Sequence, residues 1–406
     1  MKVEQRTAEL AEITSVLERM SRRTRTEAGG SMLRGMLPAP SIKAARQRQE
    51  LLKSYARYVE TRGELPWDER MKPLGPLLEN AGETALLSGV ELLPFRILIG
   101  LSKRIKESLR EARNDIPGVE RLAEGIRDLD EELEKLQVLS DDGELYDGAS
   151  EKLAELRLSL RDLTSRARSR CAALSVEPSL APMLQDRVVH FRDGRFALLV
   201  RMEDSGRFDG IVLDRSSSGK GVYLEPKELV PLNNRIQVLR REESEEERRI
   251  LSALTAMILT RRLPLHETES AVARIDVLYA CDRFLVEPPW TLPELDDRSR
   301  FHFKELWNLL IGKECVPVSI HCGERFRQLI ITGSNTGGKT VVLKSVAIGI
   351  FLALSGFPVP AAEGTQVGWI DFMAADIGDE QGIEQSLSTF SSHIRRIIAM
   401  MEKAGK

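Results

Sequence analysis

Residues Gly333, Ser334, Asn335, Thr336, Gly337, Gly338, Lys339 and Thr340 fit the pattern G-x-x-x-x-G-K-[ST] in full. Glycines at these spacings let successive backbone N–H groups turn toward phosphate oxygens with no Cβ in the way. A helix beginning near Lys339 adds its positive N-terminal end. The Lys339 ammonium then reaches β- and γ-phosphates, and the Thr340 hydroxyl is a ligand for Mg²⁺. The pattern needs a strand before it and a helix after it. Gln328–Thr332 is apolar enough for the strand, within a run Phe326–Thr332. The following apolar stretch ends at Gly356 and Pro358. The chemistry implied is the binding of a nucleoside triphosphate with its magnesium ion.

Other chemistry is poorly supported. Cys315, His321 and Cys322 lie close together but at no familiar zinc spacing, and read as two buried thiols and a surface histidine. His190, His266, His302 and His393 form no visible triad with a serine or cysteine. Hydrolysis at a P-loop needs an apolar strand ending in paired acids, one for the metal and one for the water. Ile370–Asp371 and Ala375–Asp376 lack four apolar residues ahead of such a pair. The sequence reaches Lys406 about where that strand is expected, as a fragment or one part of a split gene does.

The elements around the motif are mostly helical. The chain has 406 residues, 30% charged and only 5% aromatic, which suits two or three domains with long, charge-laced helices. A net charge of −3 gives no global attraction to nucleic acid, so any basic surface is local. Four scattered cysteines and a charged N-terminus point to a cytoplasmic setting. Ser345–Ala362 is apolar but broken by glycine and proline, and reads as a buried helix and its turn, not a membrane span. Helical periodicity predicts helices over Ala44–Arg62, Ile97–Ala112, Ile116–Ser140, Ala149 to about Leu174, and Asn234–Thr260. In the last, the charged middle Arg240–Arg249 reads as a solvated face with i,i+4 pairs such as Glu245–Arg249. Between them, Arg187–Val200 carries the hairpin signal Arg192–Asp193–Gly194, and a Ser/Gly turn separates Gly210–Leu213 from Val222–Leu224. Seven basic residues crowd this β-like stretch: Arg187, Arg192, Arg195, Arg201, Arg207, Arg215 and Lys220.

Ile330–Thr340, IITGSNTGGKT, resembles the P-loop of the MutS family. Ser355–Gly364 (SGFPVPAAEG) and Ala375–Ser392 (ADIGDEQGIEQSLSTFSS) are similar to the bacterial branch that carries a C-terminal Smr nuclease domain. So are the clamp-like stretches Asp209–Pro226 and Asp186–Leu199, and the turn Asp141–Ser150. Two departures stand out: Ser334 replaces a usual proline, and Leu306–Trp307–Asn308 replaces an Arg-His-Pro stretch that in the family lies beside the nucleotide. Trp307 is either core or a platform for adenine, with core favoured.

The resemblance implies a mixed α and α/β fold. A long-helix core and lever region would span 1–177, a small β-rich clamp 178–233, returning lever and core helices 234–287, and the first half of an ABC-like P-loop ATPase domain 288–406. It implies ATP and Mg²⁺ as cofactors and a homodimer in which a signature loop acts in trans. Ser386, Ser388 and Thr389 occupy that loop's place, although Ser388 also suits a helix N-cap. It further implies a clamp acting on DNA, as in suppression of homologous recombination through branched DNA, or on the rRNA of collided ribosomes, with Arg215 and Lys220 as candidate polyanion contacts and no membrane. A binding module without hydrolysis and a mismatch-repair ATPase are the alternatives. The second is weaker, because lever-like helices begin almost at Met1.

Overall fold

The computed structural model describes residues 1–80, 86–217, 219–287, 289–333, 338–377, 394–395, 397–398 and 400–402. They form two compact units. The first joins Met1–Pro76, Ile97–Asp130 and Arg262–Lys406; the second joins Leu77–Arg96 and Glu131–Arg261.

The first unit is built on the helix Arg262–Leu285, which is buried on nearly every side, and on the helices Ile42–Arg62 and Lys339–Leu354. Side-chain oxygens start several of its helices. Ser41 Oγ accepts from Ala44 N (3.2 Å), and Thr26 Oγ1 accepts from Gly29 N (3.0 Å). Its core gathers Met20, Leu33, Leu52, Phe303, Phe351 and Val359. A four-stranded mixed sheet lies in this unit, in the order Glu294–Asp296, Gln366–Gly368, Phe301–Leu306, Val318–Cys322. The first pair is parallel and the others antiparallel.

Two sequence expectations fail here. The helix expected over Ile116–Ser140 is a short 3₁₀ segment, Val119–Ala123, and a separate helix, Asp130–Leu136. Gly118 (φ +86°) and Gly125 (φ +92°) take left-handed backbone that ends right-handed helix. The apolar spacing was real, since Val119, Leu122, Ile126 and Leu129 are all buried, but these breaks interrupt it. The strand expected over Phe326–Thr332 is absent as well; the segment is irregular, with Leu329 43% and Ile330 84% exposed. An apolar run becomes a strand when neighbours accept its N–H groups. Among the described residues no strand pairs with this one.

The second unit carries an antiparallel sheet in the order Leu184–Arg192, Arg195–Arg201, Gly221–Pro226, Gly210–Arg215. Its first hairpin turns through Asp193 (φ 49°) and Gly194 (φ 74°), the two positive angles of a type I′ turn. One face packs Phe196, Leu198, Val200, Val222 and Leu224 onto the helices Glu151–Ser175 and Val230–Thr260. Buried Glu225 locks sheet to helix: it accepts from Arg195 Nη1 (2.8 and 2.9 Å) and from Asn233 Nδ2 (2.8 Å).

The charged stretch Arg240–Arg249 is not simply a solvated face. Glu243 and Glu247 accept from Arg157 of the neighbouring helix at 3.0 and 2.7 Å. Glu246 is buried and accepts from Arg249 Nη2 (2.6 Å) and Ser150 Oγ (2.8 Å). The charges stitch two helices together, and Arg249 pairs three residues back, not with Glu245. Spacing along one helix does not reveal a partner on another.

Candidate functional site

The helix Lys339–Leu354 starts at the lysine of the motif, with Gly338 as its N-cap in left-handed backbone (φ 75°). Gly333 also has a positive φ, at 147°. A Cβ at either glycine would meet nothing within 4 Å, so backbone conformation is what demands glycine there. Val342 N bonds to Gly338 O (3.0 Å), which opens the helix. The helix thus directs the N–H groups of its first turn toward the loop, since opening N–H groups have no acceptor within a helix. Lys339 Nζ folds back and donates to Gly333 O at 2.7 Å. Ammonium, Gly333 and helix start therefore share one place. Thr340 is exposed there. This donor set suits a polyphosphate, and the hydroxyl beside it suits a magnesium ion.

The far half of this helix is buried from Ile348 to Leu354 and holds the site in position. At Gly349 a Cβ would sit 2.8 Å from the ring of Phe303, on the adjacent strand. That close approach fixes how far the helix stands from the sheet. Asn308 Nδ2 donates to Ser345 Oγ (3.2 Å), and Lys344 pairs with Glu12 (3.3 Å). Trp307 packs edge-on against Trp290, with ring centroids 6.1 Å apart, and joins the core. The sequence identified the loop but not Gly349, whose role depends on a ring that only the fold brings near.

Ser334, Asn335, Thr336 and Gly337 lie outside the described residues, as do Ser386, Ser388 and Thr389. Cys315 and Cys322 are partly exposed, not buried as expected. Cys322 ends the edge strand Val318–Cys322, and Cys315 follows the 3₁₀ turn Gly312–Glu314.

Arg215 and Lys220 are exposed and flank the turn between the last two strands of the second unit's sheet. Ser216 N bonds to Gly221 O (2.9 Å) and Met202 N to Lys220 O (3.1 Å), which tie the turn to the end of the next strand. Register places Arg201 opposite Gly221, and Arg187 near the start of its strand, at the same end. These four basic side chains have no ion-pair partner among the described residues. The other members of the basic stretch differ. Arg195 is held by Glu225, and Arg192 lies over Tyr223, its guanidinium carbon 4.5 Å from the ring centroid. Arg207 stands 3.9 Å from Asp204. Position along the strands decides this: Arg192 and Arg195 face each other at the hairpin end, beside Tyr223, Glu225 and Asn234, whereas Arg201, on the same face as Arg195, lies at the opposite end of its strand.

A family model described as MutS domain V matches residues 329–406. The chain is 33% identical over 402 residues to Endonuclease MutS2 of Symbiobacterium thermophilum, covering 98% of this chain and 50% of that protein. It is 33% identical over 397 residues to Endonuclease MutS2 of Clostridium botulinum, covering 97% and 50%. A Geobacillus relative of the same name is 32% identical over 405 residues, covering 98% and 51%. The chain belongs to the MutS family. It resembles that family's MutS2-type branch along almost its entire length. It also spans about half the length of the curated MutS-family relatives it matches. No helix among the described residues is long and apolar enough to cross a membrane.

Proposed function

We propose that this chain is the ATP-binding portion of a MutS-type dimeric clamp ATPase that acts on DNA. The observation that carries the reading is the convergence of Lys339 Nζ, Gly333 and the start of the helix Lys339–Leu354. In this reading Lys339 offsets charge on the β- and γ-phosphates, and Thr340 offers a hydroxyl to Mg²⁺. The ion would supply charge neutralisation at the phosphates. The helix N-terminus and the glycine loop would orient the phosphate chain. Residues 288–406 would be the first half of an ABC-like ATPase domain. Ser386, Ser388 and Thr389 would act in trans on nucleotide held by a second copy. Residues 1–177 and 234–287 would be core and lever, and 178–233 the clamp.

The exposed end of the second unit's sheet supports the polyanion part of the proposal. Arg187, Arg201, Arg215 and Lys220 gather there on a chain whose net charge is −3. Relatives named as endonucleases fit a nucleic-acid target. Branched DNA, as in suppression of recombination, is the substrate proposed; ribosomal RNA offers the same phosphates and is the comparison. The test is binding of branched DNA, duplex DNA and intact ribosomes across a salt series. Replacing Arg215 and Lys220 by alanine is expected to lower the salt slope by about 2, one for each lost phosphate contact. An unaltered slope removes the sheet end as the contact, and stronger binding to ribosomes than to branched DNA replaces DNA as the target.

A further inference from the structure

The first unit holds a second cavity, unrelated to the P-loop sequence. Its volume is about 480 Å³, within the range of small-molecule sites, roughly 300–1,000 Å³. Met36, Leu122, Leu278 and Phe357 make most of its wall apolar. Its charged members are Arg48, Arg121 and Arg274 against a single acid, Glu124.

Arg48 is the informative residue. Its Nη1 donates to Leu37 O (3.2 Å), to Ser355 O (3.1 Å) and toward Met36 Sδ (3.7 Å). Ser355 is the C-cap of the helix Lys339–Leu354, so the guanidinium sits at that helix's negative end. No carboxylate pairs with Arg48 among the described residues, and its Nε and Nη2 donors have no partner there. Burial alone lowers its pKa, with no acid to offset the loss of water. Half-buried, the guanidinium is met only by two carbonyl oxygens and a thioether, which leaves its charge to favour an anion entering the cavity.

Arg48 is also held in place. Gly356 (φ +82°) follows the C-cap, and an added Cβ there would lie 2.6 Å from Arg48 Cβ. Gly356 N bonds to Ala353 O and Phe357 N to Leu352 O, both at 2.9 Å, a Schellman turn that aims Phe357 into the cavity wall. Cation and apolar wall are therefore both fixed by the end of one helix.

We propose that this cavity binds a small apolar carboxylate, its head on Arg48 and its hydrocarbon body against Met36, Leu122, Leu278 and Phe357. Volume and wall select an apolar body, and the uncompensated guanidinium selects an anionic head. A planar guanidinium matches a carboxylate through two parallel N–H donors.

The experiment is calorimetric titration of the 406-residue chain with decanoate, decanol and decylamine. Decanoate is expected to bind at least tenfold more tightly than decanol, and decylamine weakest. Equal or tighter binding of decanol, or no binding of decanoate at millimolar concentration, overturns the proposal. This comparison needs no variant, so it stands even if a substitution fails to fold. With Arg48→Met, decanoate affinity is expected to fall at least tenfold while decanol binding is unchanged. Leu278→Trp, which fills the cavity, is expected to remove both. Full decanoate affinity in either folded variant places the ligand elsewhere and overturns the assignment.

Discussion

Replacing Gly349 by alanine tests how the P-loop helix is seated. The residue lies inside the helix Lys339–Leu354, where alanine alone would gain about 0.5–1 kcal/mol over glycine. Against this, the new methyl would lie 2.8 Å from Phe303, whose ring is fully buried, and 3.4 Å from Leu306 Cδ1. The ring edge is hemmed in by core, so relief requires moving helix or strand. Overpacking of this kind costs about 1–3 kcal/mol. The net expectation for Gly349→Ala is a loss of roughly 0.5–2 kcal/mol, with Gly349→Val worse. Urea unfolding followed by circular dichroism measures it, as a lower midpoint with unchanged slope. Adding Phe303→Leu, which removes the clashing ring, should make the two changes non-additive, with the pair recovering about 1 kcal/mol. A midpoint for Gly349→Ala at or above the parent's refutes the close-approach argument, as does strict additivity in the double variant.

The second unit should depend on Arg157, which donates to Asp147, Glu243 and Glu247 while only 18% exposed. Arg157→Met should cost about 1–3 kcal/mol, less than the roughly 3–5 of a fully buried pair, because the acids keep contact with water; equal unfolding midpoints refute it. Glu246 is held at a pKa of about 2 by hydrogen bonds from Arg249 and Ser150, against 4.5 ordinarily. Its folded value is depressed, so its contribution is present above pH 4.5 and is lost as pH falls toward 2. Glu246→Gln should flatten the fall in stability across that window, and an unchanged profile between parent and variant contradicts this. Asp276 and Glu269 have the opposite sign: burial raises both, so each favours folding most at acid pH and less as pH rises past the ordinary carboxylate range. Finally, phosphate release from ATP by the 406-residue chain should stay at background, since no apolar strand ending in paired acids follows the motif in its sequence. Turnover abolished by Lys339→Ala would show that they lie elsewhere.

Local signals were legible where backbone chemistry decides structure. The Asp193–Gly194 turn, the helix opened at Lys339 and its end at Gly356 lie where residue types alone placed them. The helices Ile42–Arg62, Glu151–Ser175 and Val230–Thr260 start within a few residues of where periodicity placed them, but the one expected from Ile97 starts eight residues earlier, at Gly89, and glycines with positive φ interrupt a valid apolar pattern at Gly118 and Gly125. What the sequence hid depends on contact between distant segments. Arg195 reads as one more basic residue until Glu225 and Asn234 are beside it. Glu243 and Glu247 read as solvated until Arg157 crosses to them. Phe326–Thr332 has a strand's composition but no neighbour strand among the described residues, and composition alone does not make a ladder. For the candidate site, the motif located Gly333, Lys339 and Thr340, while the seating of their helix by Gly349 and Phe303 came only from the fold.

The central claim is that the loop at Gly333–Lys339 holds a triphosphate, and the most direct measurement is the affinity of the chain for a fluorescent ATP analogue with Mg²⁺. Lys339→Ala should weaken binding at least tenfold, about 1.4 kcal/mol or more. Lys344→Ala is the control. It removes a lysine from the same helix, one paired with Glu12, and affinity should change less than twofold. Unchanged affinity in Lys339→Ala, or an equal loss in both variants, contradicts the assignment.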